Sequence, residues 1–161
     1  MSLTAYTTYA AIRAALGVSS KELTDAVLGT EIYEYELLRE LRAIDAGLPA
    51  DFATVAAVAE PRPTVSQNLY EAVRLFAAYN VANHCLSVLP LFSPKAISDG
   101  KASLSRHTFE DAVARVESLF IRLRKSLIDA YAVYNGGTAT DSYSLPPLTS
   151  SSPDYDPVIG E

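Results

Sequence analysis

The strongest constraint on the fold is a row of apolar residues that recurs every three or four positions from Phe109 to Tyr134. This spacing places the row on one side of an α-helix. The sequence therefore predicts a helix from Thr108 to about Tyr134, roughly 40 Å long at ~1.5 Å per residue. Thr108 and Asp111 resemble a capping box, and residues 135–137, Asn-Gly-Gly, end the helix. The members of the row are Phe109, Val113, Val116, Phe120, Leu123, Leu127, Tyr131 and Tyr134.

The opposite side of this predicted final helix is polar. Asp111 precedes Arg115 by four positions, which suits an ion pair along the helix. The other polar members of that side are Ser118, Arg122, Lys125 and Asp129. We therefore expect the final helix to be amphipathic, with its apolar row in the core.

Two further helices have simple patterns. Residues 6–16 predict a short first helix, and Gly17 suits a left-handed C-terminal cap. Residues 66–89 are apolar on almost every side, which is typical of a helix surrounded by others. We expect this segment to be the core helix.

A second helix is predicted between them, with Thr24 as its N-cap. Its apolar positions recur at steps of three or four and are Leu28, Ile32, Tyr35, Leu38 and Leu41. Glu34, Glu36 and Glu40 fall on the opposite side, which we interpret as a solvated face. Gly29 costs ~1 kcal/mol relative to Ala inside a helix, and it weakens the pattern near its start.

Residues 46–65 predict a long connector between the second helix and the core helix. Pro49, Pro61 and Pro63 restrict its backbone, and the Pro-Arg-Pro end cannot be helical. Asp51 is the predicted start of a short helix rich in Ala and Val. Together these patterns predict an all-α fold, a small bundle of about four main helices.

The composition fits one domain that folds without covalent staples. The chain has 161 residues, of which 49% are hydrophobic and 20% charged, as expected of a globular chain. Its single cysteine, Cys85, cannot form an internal disulfide, which is compatible with a reducing compartment and makes the cytosol the default. Because no run approaches the ~20 apolar residues of a membrane helix, we expect no signal peptide and no membrane span.

The sequence offers no constellation for catalysis, for a metal or for a cofactor. The soft metal ligands are His84, Cys85 and His107. Adjacent His84 and Cys85 point about 100° apart on a helix, and apolar surroundings would raise the pKa of the thiol where a nucleophile needs it lowered. The glycines do not form a phosphate-binding loop. We therefore expect neither an enzyme nor a cofactor-binding protein.

The charge is uneven along the chain. The formal net charge is −6. Residues 1–60 hold nine acids and four bases, whereas residues 101–137 hold six bases and four acids. Dedicated nucleic-acid binders need clustered Lys and Arg, so the overall acidity argues against that class.

Residues 138–161 differ from the rest of the chain and form a predicted extended C-terminal arm, beyond a helical domain of residues 1–137. The arm contains four acids and no Lys or Arg. Its apolar residues are the candidate contacts with a partner, and they are Tyr143, Leu145, Leu148, Tyr155, Val158 and Ile159. On sequence grounds alone, a disordered tail without a role is an equal alternative.

Two stretches resemble the head-to-tail adaptor (connector) proteins of tailed bacteriophages. The first is AAIRAALGVSSKELTDAVLGTEIYEYELLRELRAI, in which a short helix ending in Leu-Gly-Val leads through a Ser-rich turn into a long helix. The second is KAISDGKASLSRHTFEDAVARVESLFIRLRKSL, which is similar to the connector and final helix of that family. Thr24 stands where the family pattern has Pro, and His107 where it has an aromatic residue such as Phe.

The resemblance implies a structural virion protein without catalytic activity. It implies a homo-oligomeric ring, commonly a dodecamer, that docks beneath the portal protein at the capsid vertex and receives tail or nozzle proteins on its other side. Such a ring is assembled in the host cytoplasm and lets DNA pass through its lumen without specific binding. The predicted arm then becomes a candidate contact with the portal or with a neighbouring subunit.

The resemblance also gives a role to the polar segment before the final helix. Asp99-Gly100 favours a tight reversal, so residues 97–104 become a short hairpin-like loop. The residues presented there at a subunit interface are Lys101, Ser103, Ser105 and Arg106. Without the resemblance, an ordinary solvated loop is the preferred interpretation.

The uneven charge suits head-to-tail contact between unlike surfaces of neighbouring copies. The acidic second helix of one copy would face the basic final helix of the next, with Arg115 and Arg122 at the contact. Charge reversal at these two residues is then expected to hinder assembly and leave the fold intact.

Other classes remain open at this point. A small all-α regulatory or assembly-factor module that binds one protein partner explains the helices and the arm equally well. A head-completion or tail-completion protein of the same neck region cannot be separated from an adaptor by sequence.

Overall fold

The structure is a computed structural model that describes residues 2–88 and 106–137, except for the side chains of residues 87, 88 and 106–112. Within these ranges every regular element is a helix, which confirms the all-α prediction. The helices are α1 (Leu3–Tyr6), α2 (Tyr9–Leu16), α3 (Asp25–Leu28), α4 (Glu31–Ile44), α5 (Leu48–Ala57), α6 (Thr64–Val88) and α7 (Arg106–Tyr134). The predicted hairpin-like loop and the predicted arm lie outside the described residues.

Helix α6 is the centre of the fold, as predicted. It contacts α1, α2, α4, α5 and α7, and Leu69, Val73, Phe76 and Val81 are completely buried. Its apolar residues occur on almost every side because the helix has neighbours on almost every side. It begins at Thr64, directly after Pro63, where the extended segment ends.

Helix α7 packs along α6, and the rings of Phe76 and Phe120 stack with their centroids 5.5 Å apart. The predicted apolar row is confirmed in part. Val116, Leu127 and Tyr131 are buried. Val113, Phe120 and Tyr134 are half-buried against the core, whereas Leu123 lines an open groove between the two helices. Gly136 has a φ of +80°, the left-handed conformation that glycine adopts at low cost.

The predicted start of α7 is wrong. The helix already includes Arg106, so Thr108 lies inside it and is not its N-cap residue. An N-cap residue has non-helical backbone, and Thr108 is helical. Arg106 was predicted to be presented by the hairpin-like loop, and instead it lies in this helix.

The predicted continuous second helix is also wrong. It is divided into α3 and α4 by Gly29 and Thr30. The Thr30 hydroxyl donates a hydrogen bond to the carbonyl oxygen of Val27, a local bond that competes with continued helix. Thr24 is the N-cap of α3, but its side chain makes no capping hydrogen bond.

The break changes which side of α4 faces the core. Tyr33, Leu37 and Leu41 are buried, whereas Ile32 and Tyr35 are 61% and 67% exposed. The predicted row from Leu28 through Ile32 and Tyr35 is therefore wrong, because the turn at residues 29–30 resets the helical phase. The predicted solvated face is wrong in part, since its members are half-buried, and they are Glu34, Glu36 and Glu40.

The predicted connector contains a full helix, α5. It begins at Leu48, three residues before the predicted start at Asp51, with Pro49 in its first turn. Proline suits this position because the first N–H groups of a helix have no partner within the helix. The Phe52 ring of α5 stacks on those of Tyr6 and Tyr70, at centroid distances of 5.0 and 5.7 Å.

Residues 58–63 are not helical, as predicted, and Arg62 ties them to the core. Its Nε donates to the carbonyl oxygen of Val55 at 3.2 Å. Its guanidinium also lies 4.1 Å from the centroid of the Tyr70 ring and pairs with Glu60 at 2.9 Å. The irregular segment is therefore held between α5 and α6.

Candidate interaction surfaces

An open groove lies between α6 and α7, with a volume of 1540 Å³. Small residues of α6 such as Ala72 and Ala78 line it together with larger apolar residues of both helices. Leu75 on α6 and Ile121 on α7 are 53% and 67% exposed, and both line this one groove. We call this surface the α6/α7 groove. Its exposed apolar lining is typical of a surface that contacts another molecule.

Basic side chains stand beside the two exposed apolar residues of the groove. Arg74 follows Val73 on α6 and directly precedes Leu75, and Arg122 directly follows Ile121 on α7. The Arg74 guanidinium donates to the Tyr70 hydroxyl at 2.9 Å, which fixes its position. Lys125 lines the groove nearly one turn further along α7. Glu71 and Asp129 also line it, so bases outnumber acids there by three to two.

A second exposed apolar surface lies on α4, where Ile32 and Tyr35 project from adjacent turns of the helix. Glu31 lies beside them at the start of the helix, and no base occurs in the helix before Arg39. Arg39, the next base along α4, pairs with Glu36 at 2.7 Å and lies 3.5 Å from Glu40. We call Ile32 and Tyr35 the α4 ridge. Arg39 lies on the ridge side of the helix, four positions after Tyr35, and its pairing with Glu36 leaves only the Glu31 end of the ridge acidic.

The predicted interface residues are only partly placed by the structure. Arg115 and Arg122 are exposed on α7, as expected for a contact surface, but only Arg122 lines the α6/α7 groove. Arg106 belongs to α7, and its side chain is not among those described. The others lie outside the described residues, and they are Lys101, Ser103, Ser105, Tyr143, Leu145, Leu148, Tyr155, Val158 and Ile159.

The α4 ridge and the exposed Leu75 were not predicted from the sequence. The Gly29-Thr30 pair was a usable signal for the ridge, since Gly and Thr both disfavour helix interiors. No comparable signal exists for Leu75, because its exposure depends on where α7 lies against α6.

The turn that carries the first family resemblance is stabilised by Arg13. Its Nε donates to the carbonyl oxygen of Leu23 at 2.7 Å, and its guanidinium pairs with Asp25. Gly17 ends α2 with a φ of +72°, confirming the predicted cap. Hydrogen bonds from the backbone and then from the hydroxyl of Ser19 lower the pKa of Glu22. Arg13 of α2 is therefore bonded to the segment that follows the Leu-Gly-Val turn, at Leu23 and Asp25.

Cys85 is a buried core residue, as the sequence analysis preferred. It is 2% exposed. Burial raises the pKa of its thiol, although the hydrogen bond with Tyr33 acts in the opposite direction. A neutral, enclosed thiol is a poor nucleophile. Across residues 2–88 and 106–137, no group of three or more His, Cys, Asp or Glu side chains is arranged to hold a metal ion.

None of the helices in the described part of the chain combines the length and the apolar character needed to cross a membrane. Comparisons of the chain with models of protein families, with curated proteins and with solved structures give no match.

Proposed function

We propose that this chain is a structural virion protein, a head-to-tail adaptor that forms a ring beneath the portal and links the DNA-filled capsid to the tail. The single observation that supports this most is the presence of two exposed apolar surfaces with unlike charge on one small domain. The α4 ridge begins beside Glu31, and in the α6/α7 groove three bases outnumber two acids. Unlike, complementary surfaces are what a closed head-to-tail ring requires.

The sequence resemblance supplies the place of this ring in the particle. The stretch around Arg13 and Gly17 and the stretch that leads into α7 both resemble phage adaptor proteins. On this basis the ring is a dodecamer, with the portal on one side and tail or nozzle proteins on the other. The arm of residues 138–161, acidic and supplied with apolar residues, contacts the portal or a neighbouring subunit.

The lumen of the ring carries DNA without binding it specifically. The chain has a formal net charge of −6, and like charge discourages contact with phosphates. Specific binding would need clustered bases free of acids. On α7, the bases between Val113 and Tyr134 are accompanied by Glu117 and Asp129.

A genetic experiment tests this function. A nonsense mutation in the gene of the chain is introduced into the phage, and the particles made in a non-suppressing host are imaged and titred. We expect DNA-filled or leaking heads without tails, and recovery of infectious particles when purified chain is added to the extract. Normal numbers of tailed, infectious particles without the chain would contradict the proposal and favour a regulatory or assembly-factor role.

A further inference from the structure

We infer that the α4 ridge of one copy docks in the α6/α7 groove of a second copy of this chain. The occupant of the groove is therefore the Ile32 and Tyr35 pair of a neighbour. The inference deepens the proposed function, and it rests on that function only for the claim that the contact repeats until a ring closes.

The first argument is the exposure of apolar side chains on both surfaces. Ile32 and Tyr35 on the ridge, and Leu75 and Ile121 in the groove, each keep more than half of their surface in contact with water. Removal of this surface from water is the main favourable term in protein association. Exposed apolar side chains on one helix and an open apolar groove between two others are the two parts of a helix-in-groove contact.

The second argument is the charge beside these side chains. Glu31 lies beside the ridge, whereas in the groove the three bases Arg74, Arg122 and Lys125 outnumber two acids. Docking of ridge into groove brings carboxylates towards guanidinium groups, a pairing that arginine geometry favours. A ridge against a ridge would bring like carboxylates together, and this disfavours a symmetric dimer through α4.

The third argument is that the two surfaces can be used at the same time. They lie on different helices and have no residue in common. A copy whose ridge is docked therefore still presents its groove to another copy. Contacts of this heterologous kind close into rings or extend as filaments.

Size-exclusion chromatography with light scattering, on purified full-length variants, tests the inference. The ridge variant carries Ile32→Glu and Tyr35→Glu, and the groove variant carries Leu75→Glu and Ile121→Glu. We expect the wild-type chain to form oligomers larger than a dimer. For each variant alone, we expect the dissociation constant for self-association to rise by at least about 30-fold.

The mixture of the two variants is the decisive sample. The ridge variant keeps an intact groove, and the groove variant keeps an intact ridge, so a mixture can form one native contact and no second one. We therefore expect a one-to-one heterodimer in the mixture and nothing larger. Val58→Glu is the matched control, because Val58 is 41% exposed and belongs to neither surface. Circular dichroism verifies that each variant is folded. Where a glutamate variant is not folded, Tyr35→Ala replaces the ridge variant and Ile121→Ala replaces the groove variant.

Several results would overturn the inference. They are a wild-type chain that is monomeric at about 1 mM, oligomers that are unaffected by either variant, and a mixture that fails to form heterodimers.

A further variant tests the arm as a competing occupant of the groove, with Tyr143, Leu145 and Leu148 changed to Ser. Loss of oligomers in this variant, with no effect in the ridge variant, would assign the groove to the arm and contradict the inference.

The outcome can be separated from that of the proposed function. Oligomers that depend on the ridge and the groove, made by a chain that is absent from virions, would support this contact and remove the adaptor role. Virion rings that persist with both surfaces altered would support the adaptor role and contradict this contact.

Discussion

The Tyr131 hydroxyl donates a hydrogen bond to a carboxylate oxygen of Asp51 at 2.7 Å, and so joins the end of α7 to the first turn of α5. The same hydroxyl lies 3.2 Å from Asp45, whose carboxylate accepts a hydrogen bond from the Gly47 N–H at 2.7 Å. The residues 45–51 that lead into α5 are thereby tied to the final helix. This contact fixes how the end of α7 packs against the start of α5.

Replacement of Tyr131 by Phe tests this tie. We expect the free energy of unfolding to fall by roughly 1 kcal/mol, because a hydrogen bond to a partly exposed carboxylate is lost while the ring still packs. Urea unfolding followed by circular dichroism measures the change. Tyr35→Phe is the matched control, since Tyr35 is exposed, and it should unfold like the wild type. Equal stability of Tyr131→Phe and the wild type would contradict the tie.

Alkaline pH should destabilise the fold through Tyr33 and Tyr131. Burial raises the pKa of each tyrosine from its ordinary value to about 12, and the hydrogen bonds of Tyr33 with Cys85 and of Tyr131 with Asp51 are secondary causes. The folded state therefore holds these protons more tightly than the unfolded state. The contribution of the two tyrosines to the free energy of unfolding is complete below pH 10 and is lost as the pH rises through about 12.

Unfolding in urea at a series of pH values between 9 and 12 checks this dependence. The free energy of unfolding should decrease over the range, and the decrease should be smaller in Tyr131→Phe. A dependence on pH that is identical in the variant and the wild type would show that Tyr131 does not contribute.

Arg13 should matter more for stability than its ion-pair partner. Its side chain is 14% exposed and bonds to the Leu23 carbonyl, whereas the Asp25 side chain is 70% exposed. Arg13→Met would leave that carbonyl without its donor, at an expected cost of about 1 to 2 kcal/mol. Asp25→Asn should cost less than about 0.5 kcal/mol, since exposed pairs are screened by water. Thermal unfolding ranks the two variants, and the reverse order would contradict this account.

The Cys85 thiol should be inert in the folded chain. It is 2% exposed, and burial raises its pKa. Reaction with the thiol reagent dithionitrobenzoate should be slow in buffer at pH 8 and fast in guanidinium chloride. Ser118→Cys supplies an exposed thiol on α7 as the matched control. A wild-type rate in buffer close to that of this control would show that Cys85 is accessible.

The long helices could be predicted because their signals are local. The apolar row of α7 and the nearly continuous apolar character of α6 are visible in the sequence, and both helices are found, although each begins two residues before its predicted start. Gly17 at the end of α2 is also a local signal, since a left-handed cap favours glycine.

The parts that depend on packing were not predictable in the same way. Gly29 and Thr30 only weaken a helix, and the sequence does not show that they divide it, so Ile32 and Tyr35 were assigned to the core. The contact of Tyr131 with Asp51 joins residues 80 positions apart and has no periodic signature. The α6/α7 groove exists because of how two helices pack, so its exposed Leu75 and Ile121 could not be identified beforehand.

The proposed adaptor role is tested most directly by quantitative mass spectrometry of purified phage particles. The measurement gives the ratio of this chain to the portal protein. Because stacked closed rings tend to share their symmetry, the account predicts a ratio of about one. Absence of the chain from mature particles would contradict the adaptor role.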